Sequence, residues 1–425
     1  MLTSKWSLGR KNNMQHGNTC TFQHTWLRFC FNGFRVCFGV FTFAIFSCLF
    51  PTGVVSTFST LAFFFAIPIF CSRWRDLRLN VFETIGLLLF AWLCLSFAWT
   101  ESGLLSGLGA VSEYRIYFMI PVFATAILES RNLTPYLVSC SFIGATIALA
   151  ASFLIFFDVI KVEGKMSLAN SIFHGFIISL LYFASLLAVR ETQGKARVFF
   201  IALASIAAIN VLFVEVGRTG YLQIISATLA YVLICYPKFW RLALAGFVIL
   251  VAVVFLGSIF VLDDYEVLFG TLVEKLRDGQ HGYSNSLRLD YYQGALFLGA
   301  NNFPWGVGVG DAVMVLEKAF LEGRMRYLTD NVHSEFLNMW LVGGLPALVL
   351  FSLFIASIIR TGVMAIPKHK LVGELMVGFG FIVIIGAMFN SVIKDFGEKH
   401  VILIALASFA SFLLRGARKN LREIM

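Results

Sequence analysis

Three arginines and a histidine stand at positions where a charge is costly or where the backbone is open. Arg218 lies in Val216-Gly217-Arg218-Thr219-Gly220, a tight turn between two apolar runs, with Glu215 beside it. Glycines let a backbone approach a ligand closely. A helix that opens here also directs free N–H groups and its positive dipole end outward, which suits a phosphate. A Glu215–Arg218 ion pair that pins the turn is the alternative. Arg288, in Ser286-Leu287-Arg288-Leu289-Asp290, opens an apolar helix where a guanidinium can clamp a phosphate with two parallel hydrogen bonds. Taken alone, a solvated or Asp290-paired arginine accounts for it better. His333, in Asp330-Asn331-Val332-His333-Ser334-Glu335, falls in the first turn of another apolar run. A helix dipole disfavours imidazolium there, leaving a neutral ring that accepts a proton near pH 7. Asp330 or Glu335 would orient the other ring nitrogen, and a polar cap at headgroup level explains the same residues equally well. Glu113-Tyr114-Arg115 interrupts the apolar stretch 104–128. In one continuous helix these two charges occupy different faces, so each needs another partner. Lys394, Asp395, Lys399 and His400 are weaker candidates, which a solvated loop explains better.

The elements that carry these residues belong in a membrane. Of 425 residues, 59% are hydrophobic and 13% charged, with 46 Phe against 33 Lys and Arg. Soluble chains are roughly half apolar and about a quarter charged. The composition excludes a water-soluble fold, intrinsic disorder and a disulfide scaffold. Most of the eight Cys sit inside apolar runs, where they behave as small hydrophobes. A span needs about 20 apolar residues. Such runs fall near 33–51, 53–71, 80–99, 104–128, 135–157, 171–189, 197–215, 219–236, 241–261, 336–359, 373–393 and 399–414. The expectation is one all-α polytopic transmembrane domain over 1–425, with about 12 helices. One long loop at 262–335 carries amphipathic helical stretches at 265–276, 287–298 and 313–327. A Gly/Pro-rich break, Pro304-Trp305-Gly306-Val307-Gly308-Val309-Gly310, separates the last two.

Most of the basic residues fall on one side of this topology and most of the acidic ones on the other. Basic loops face the cytoplasm, which puts both termini inside and the long loop, Arg218, Arg288 and His333 outside. The formal charge of +9 is therefore a topology signal, and no nucleic-acid partner is expected. The polar N-terminal segment shows no cleaved signal peptide. No zinc motif, P-loop, dinucleotide fingerprint or paired-acid motif of a metal-dependent sugar transferase occurs, so no cofactor and no metal is expected. Arginines beside a neutral histidine and no metal site suit a pyrophosphate leaving group neutralised by guanidinium, with His333 taking the proton of an attacking hydroxyl.

In order along the chain, Arg288, Pro304, Gly306-Val307-Gly308, His333-Ser334-Glu335-Phe336-Leu337 and Gly343-Gly344-Leu345-Pro346 resemble the signature of the O-antigen ligase and polymerase superfamily. Arg218 in Gly-Arg-Thr-Gly resembles that family's other arginine. Ser334 departs from the pattern, which more often has Asn after the His. The resemblance implies a multi-spanning, GT-C-like glycosyltransferase architecture in a Gram-negative inner membrane, with a periplasmic active site. It implies metal-independent, inverting transfer of O-antigen from undecaprenyl pyrophosphate to a sugar hydroxyl of lipid A–core oligosaccharide. Arg218 and Arg288 would hold the pyrophosphate and His333 would serve the acceptor. Arg115, Asp330 and Glu335 are possible additions, Arg115 on the cost of its burial. An O-antigen polymerase or a protein O-oligosaccharyltransferase of the same superfamily is the nearest alternative. The single long loop and the short tail after the last span argue against them. A secondary transporter is the alternative of another class, opposed by the lack of a two-half repeat.

Overall fold

The computed structural model describes residues 11–130, 133–161, 168–214, 217–239, 241, 245 and 281–424, and its regular elements are helices. In chain order these are α1 (Lys11–Ser47), α2 (Thr52–Ser72), α3 (Val81–Ser96), α4 (Leu104–Glu113), α5 (Ile116–Glu129), α6 (Leu133–Phe156) and α7 (Ser171–Glu191). They continue with α8 (Gly194–Ile209), α9 (Arg218–Cys235), α10 (His281–Asn301), α11 (Ala312–Leu321), α12 (Glu335–Ala365), α13 (Lys370–Phe389) and α14 (Phe396–Ile424). Among the described residues, nine helices are long and apolar enough to cross a membrane, or ten if the bent pair α4–α5 is one span. α9 is a shorter apolar helix. The chain is an all-α polytopic membrane protein. The expected span at 241–261 and the loop stretch at 265–276 lie outside the described residues.

Two expectations about helix continuity change. The stretch 104–128 is not one helix: it breaks at Tyr114 and Arg115 and bends by 47°. The loop stretch 313–327 is helical only as far as Leu321. Beyond it the backbone turns through Gly323, whose φ is +71°.

The chain separates into two compact units. One comprises residues 1–78, 119–144 and 404–425. Its core is aromatic: Phe123 packs on Phe34 and Phe38 at centroid distances of 5.8 and 4.9 Å. The other unit comprises residues 79–118 and 145–403 and holds every candidate site residue. Within it α12 packs on α3 and α13, and α9 on α7 and α13. α7 and α9 run side by side because Gly175 abuts the backbone of Gly220, where a Cβ would come within 3.1 Å. Gly386 of α13 faces the Gln223 amide of α9. Arg218, more than a turn before Gln223, and Asn390, a turn beyond Gly386, therefore lie at the same end of this bundle.

α12 is broken where the glycine-rich loop meets it. Gly344 adopts φ +66°, and Pro346 follows two residues later. Pro346 has no N–H to give the Val342 carbonyl. Gly308 N–H supplies that bond instead at 3.0 Å, and Val307 N–H serves Leu341 O at 2.8 Å. Trp92 Nε1 serves Gly343 O at 2.8 Å, while Leu345 N–H turns away to Pro304 O at 2.9 Å. Broken helices persist at membrane depth only when freed carbonyls find such donors. A Cβ on Gly344 would come within 2.0 Å of Pro304 O, so the motif needs glycine. Asp311 then fixes the far end of the loop, its carboxylate accepting from Glu101 N at 2.7 Å and Ser102 N at 2.8 Å. This clasp ties the segment after α10 to α12 and so sets α10 against the start of α12.

Candidate active site

His333 does not lie in the first helical turn. α12 begins at Glu335 with Ser334 extended at its N-cap, and His333 precedes it at φ +55°. That conformation is strained for a non-glycine residue and persists where the surroundings enforce it. They do so here from two sides. The Asn331 side chain accepts His333 N–H at 3.1 Å, an Asx-type turn. The Tyr292 hydroxyl of α10 donates to His333 O at 3.2 Å. Tyr291 lays its ring alongside the imidazole at 6.1 Å.

Arg288 is one helical turn before Tyr292 on α10, hence on the same face. It is half-buried and makes no ion pair among the described residues. Asp290 does not pair with it, because that carboxylate accepts from Arg326 N at 2.9 Å and Tyr327 N at 3.1 Å. Burial holds the His333 pKa below the ordinary histidine value, and the nearby Arg288 charge lowers it further. Asp395, Asn390 and Asp330 act in the opposite sense and are outweighed. The ring is therefore neutral near pH 7, although the cause is burial and Arg288 and not a helix dipole.

The loop between α13 and α14 closes the site, and it is not a solvated loop. Glu398, Lys399 and His400 are buried, and Lys394 and Asp395 half-buried. Asn331 links it to the His333 turn: Ser391 Oγ donates to Asn331 Oδ1 at 2.5 Å, and Asn331 Nδ2 donates to Asp395 Oδ1 at 3.3 Å. Lys394 Nζ donates to Asp330 O at 2.5 Å. Asp330 thus engages the loop through its backbone, and its charge acts on His333 only weakly, as the last of the influences on that ring. Glu335 is fully buried. Its carboxylate accepts Ile393 N–H at 2.9 Å, and its own N–H donates to Asn390 O at 3.1 Å. These contacts spend Glu335 on holding the α13–α14 loop.

Arg115, singled out for the cost of its burial, is exposed, because the helix breaks at this point between α4 and α5. Its guanidinium donates to Ser112 O at 2.8 Å and makes no ion pair among the described residues. The Lys399 ammonium senses Arg115, Glu113, Asp395 and Glu335. Tyr114, in the same break, accepts from Asn338 Nδ2 at 3.0 Å, which ties the break to the first turn of α12. Arg288, His333, Asp395, Lys399 and Arg115 thus form a continuous electrostatic neighbourhood. Of Arg218, the backbone opens α9 at the same end of the bundle; its side chain, like Glu215, lies outside the described residues. Among the described residues, no three His, Cys, Asp or Glu side chains gather as a metal-ligand set.

Residues 203–352 match the family model described as O-antigen ligase. The match covers about a third of the chain. No curated protein matches the chain. The O-antigen ligase match contains Arg218, Arg288, His333 and the glycine clasp, but neither Arg115 nor the α13–α14 loop. Asn331 and Asn390 were not apparent as site residues in the sequence, and Asp395 stood there only as a weaker candidate. One signal was present: Glu398-Lys399-His400 are three consecutive polar residues at the mouth of an apolar run, where solvation is incomplete.

Proposed function

We propose that this O-antigen ligase family protein transfers O-antigen from undecaprenyl pyrophosphate to a sugar hydroxyl of lipid A–core oligosaccharide. The reaction takes place at the periplasmic face of a Gram-negative inner membrane, with both termini cytoplasmic. The observation that carries this reading is the unmatched positive charge around a neutral histidine. Among the described residues Arg288 has no carboxylate partner, and an unpaired guanidinium at a membrane edge suits a pyrophosphate. The acceptor hydroxyl attacks the anomeric carbon as the carbon–oxygen bond to the pyrophosphate breaks. His333 takes the hydroxyl proton, and Arg288, with Arg218 at the start of α9, takes up the charge that develops on the leaving group. A single displacement of this kind inverts the anomeric carbon.

Reconstitution in vesicles with the lipid-linked glycan and lipid A–core tests the assignment. Glycan appearing on the core, in EDTA as in its absence, is the expected result. Elongation of the donor glycan would make the enzyme a polymerase, and glycan on a protein would make it an oligosaccharyltransferase. Activity lost in EDTA and restored by a divalent ion would defeat the role given to the arginines.

A further inference from the structure

Among the described residues, His333 Nδ1 and Asn390 Oδ1 are two buried polar atoms with no hydrogen-bond partner of good geometry. Buried orphans of this kind are costly and rare in native folds. These two are neighbours: the Asn390 side chain acts on the His333 ring as a hydrogen-bond acceptor. The amide is not free to turn, because Asn390 Nδ2 donates to Glu398 Oε1 at 3.1 Å and so directs Oδ1 the other way. Its backbone is held as well, since Asn390 O receives Glu335 N–H at 3.1 Å. Glu398 is buried at the start of α14.

We infer that Asn390 is a positioning residue that takes the Nδ1–H of His333 and leaves Nε2 as the bare nitrogen facing the acceptor, with Glu398 orienting the Asn390 amide. The inference rests on the proposed role of His333 as base and supplies what that role lacks, a group that fixes the tautomer. The carboxylates of Glu335 and Asp395 are otherwise engaged. Glu335 is committed to Ile393 N–H, and Asp395 to Asn331 Nδ2. The charged groups facing the ring are Arg288 from α10, Asp330 from the preceding turn and Asp395 from the α13–α14 loop, with Lys399 of α14 beyond Asp395.

Transfer assays of Asn390→Leu and Asn390→Asp across a pH range, with His333→Ala as the inactive reference, test this. Asn390→Leu keeps the volume and removes the acceptor. It should lower kcat by about 10- to 100-fold, the range for losing an outer-shell partner of a functional histidine, with the donor KM unchanged. Asn390→Asp restores an acceptor, so kcat should recover in part. Its negative charge favours imidazolium, so the acid limb of the profile should move to higher pH. A residue that only holds the loop would change yield and amplitude and leave that limb in place. Full kcat in Asn390→Leu, or an unmoved acid limb in Asn390→Asp, overturns the inference while leaving His333 as base. Full activity in His333→Ala would instead remove the proposed reaction. If the variants fail to fold, ¹⁵N-histidine NMR of the wild-type protein in vesicles decides, with His333→Gln identifying the signal. Nδ1 protonated and Nε2 bare is expected, and the reverse pattern overturns the assignment.

Discussion

The two ends of the second unit both carry buried charge, and they treat it differently. At the end where α7 and α9 finish and α13 begins, Arg190 pairs with both Glu374 and Glu191, and Lys370 joins Glu191 at 2.9 Å. Every cation in this group has its anion. At the opposite end, among the described residues, the half-buried Arg288 has no carboxylate partner, and the buried His333 Nδ1 and Asn390 Oδ1 are left over. The matched end needs nothing further to be stable. The unmatched end has charge and hydrogen-bonding capacity in reserve, which an anionic ligand and an acceptor hydroxyl would use. Electrostatic mismatch, more than charge itself, distinguishes the candidate site from a structural ion network.

The comparison breaks most directly at His333. His333→Ala should reduce transfer by about 10²- to 10⁴-fold, the range for losing a general base, while binding of the pyrophosphate donor persists. Unchanged turnover would return the unmatched end to a structural role. Arg288→Ala should weaken donor binding by about 10- to 100-fold, as expected for a charge-assisted contact. It carries a second signature with a definite sign. Arg288 helps to hold the His333 pKa down, so removing it raises that pKa. The ring then protonates at higher pH, and the acid limb of the transfer profile shifts upward. Arg288→Lys should retain the limb position, because the charge remains, yet lose donor affinity if the contact is bidentate. An acid limb unmoved in Arg288→Ala would place that guanidinium away from the ring.

Sequence revealed the parts of this site that apolar surroundings make conspicuous. Arg288 and His333 stand out because they border hydrophobic runs, and the Gly343-Gly344-Leu345-Pro346 break is visible because helices rarely contain it. The spans at 135–157 and 171–189 coincide with α6 and α7 because apolar length alone specifies a membrane helix. What sequence did not reveal depends on tertiary placement. Asn331 and Asn390 are small polar residues in short polar segments, indistinguishable there from solvated turns. Only tertiary packing buries Asn390 beside His333 and joins Asn331 to the α13–α14 loop. Glu335 was conspicuous for its place beside the histidine, yet the fold turns its carboxylate toward Ile393. Nor does any local pattern show that Val307 and Gly308 will supply donors to Leu341 and Val342 of α12.

The matched end offers the complementary test. Arg190→Gln strands Glu374, whose side chain is only 3% exposed. Breaking a fully buried pair costs about 3–5 kcal/mol, and the quarter-exposed arginine brings the expected loss nearer the lower end. A lower unfolding temperature in detergent, with transfer per folded molecule unchanged, is the outcome that keeps the two ends distinct. A shifted pH profile in Arg190→Gln would show instead that the ends are coupled through α13. The smallest effect belongs to Arg73–Glu129 in the first unit, a 3.0 Å pair whose arginine is 46% exposed. Exposed pairs of this kind contribute less than about 1 kcal/mol, so Arg73→Gln should barely move the unfolding temperature. The contrast separates the contribution of burial from that of pairing. If Arg73→Gln destabilised as much as Arg190→Gln, a formed ion pair would be enough by itself to explain stability. Burial of the partner would then lose its place in the argument, and the unmatched charges near His333 would need another explanation.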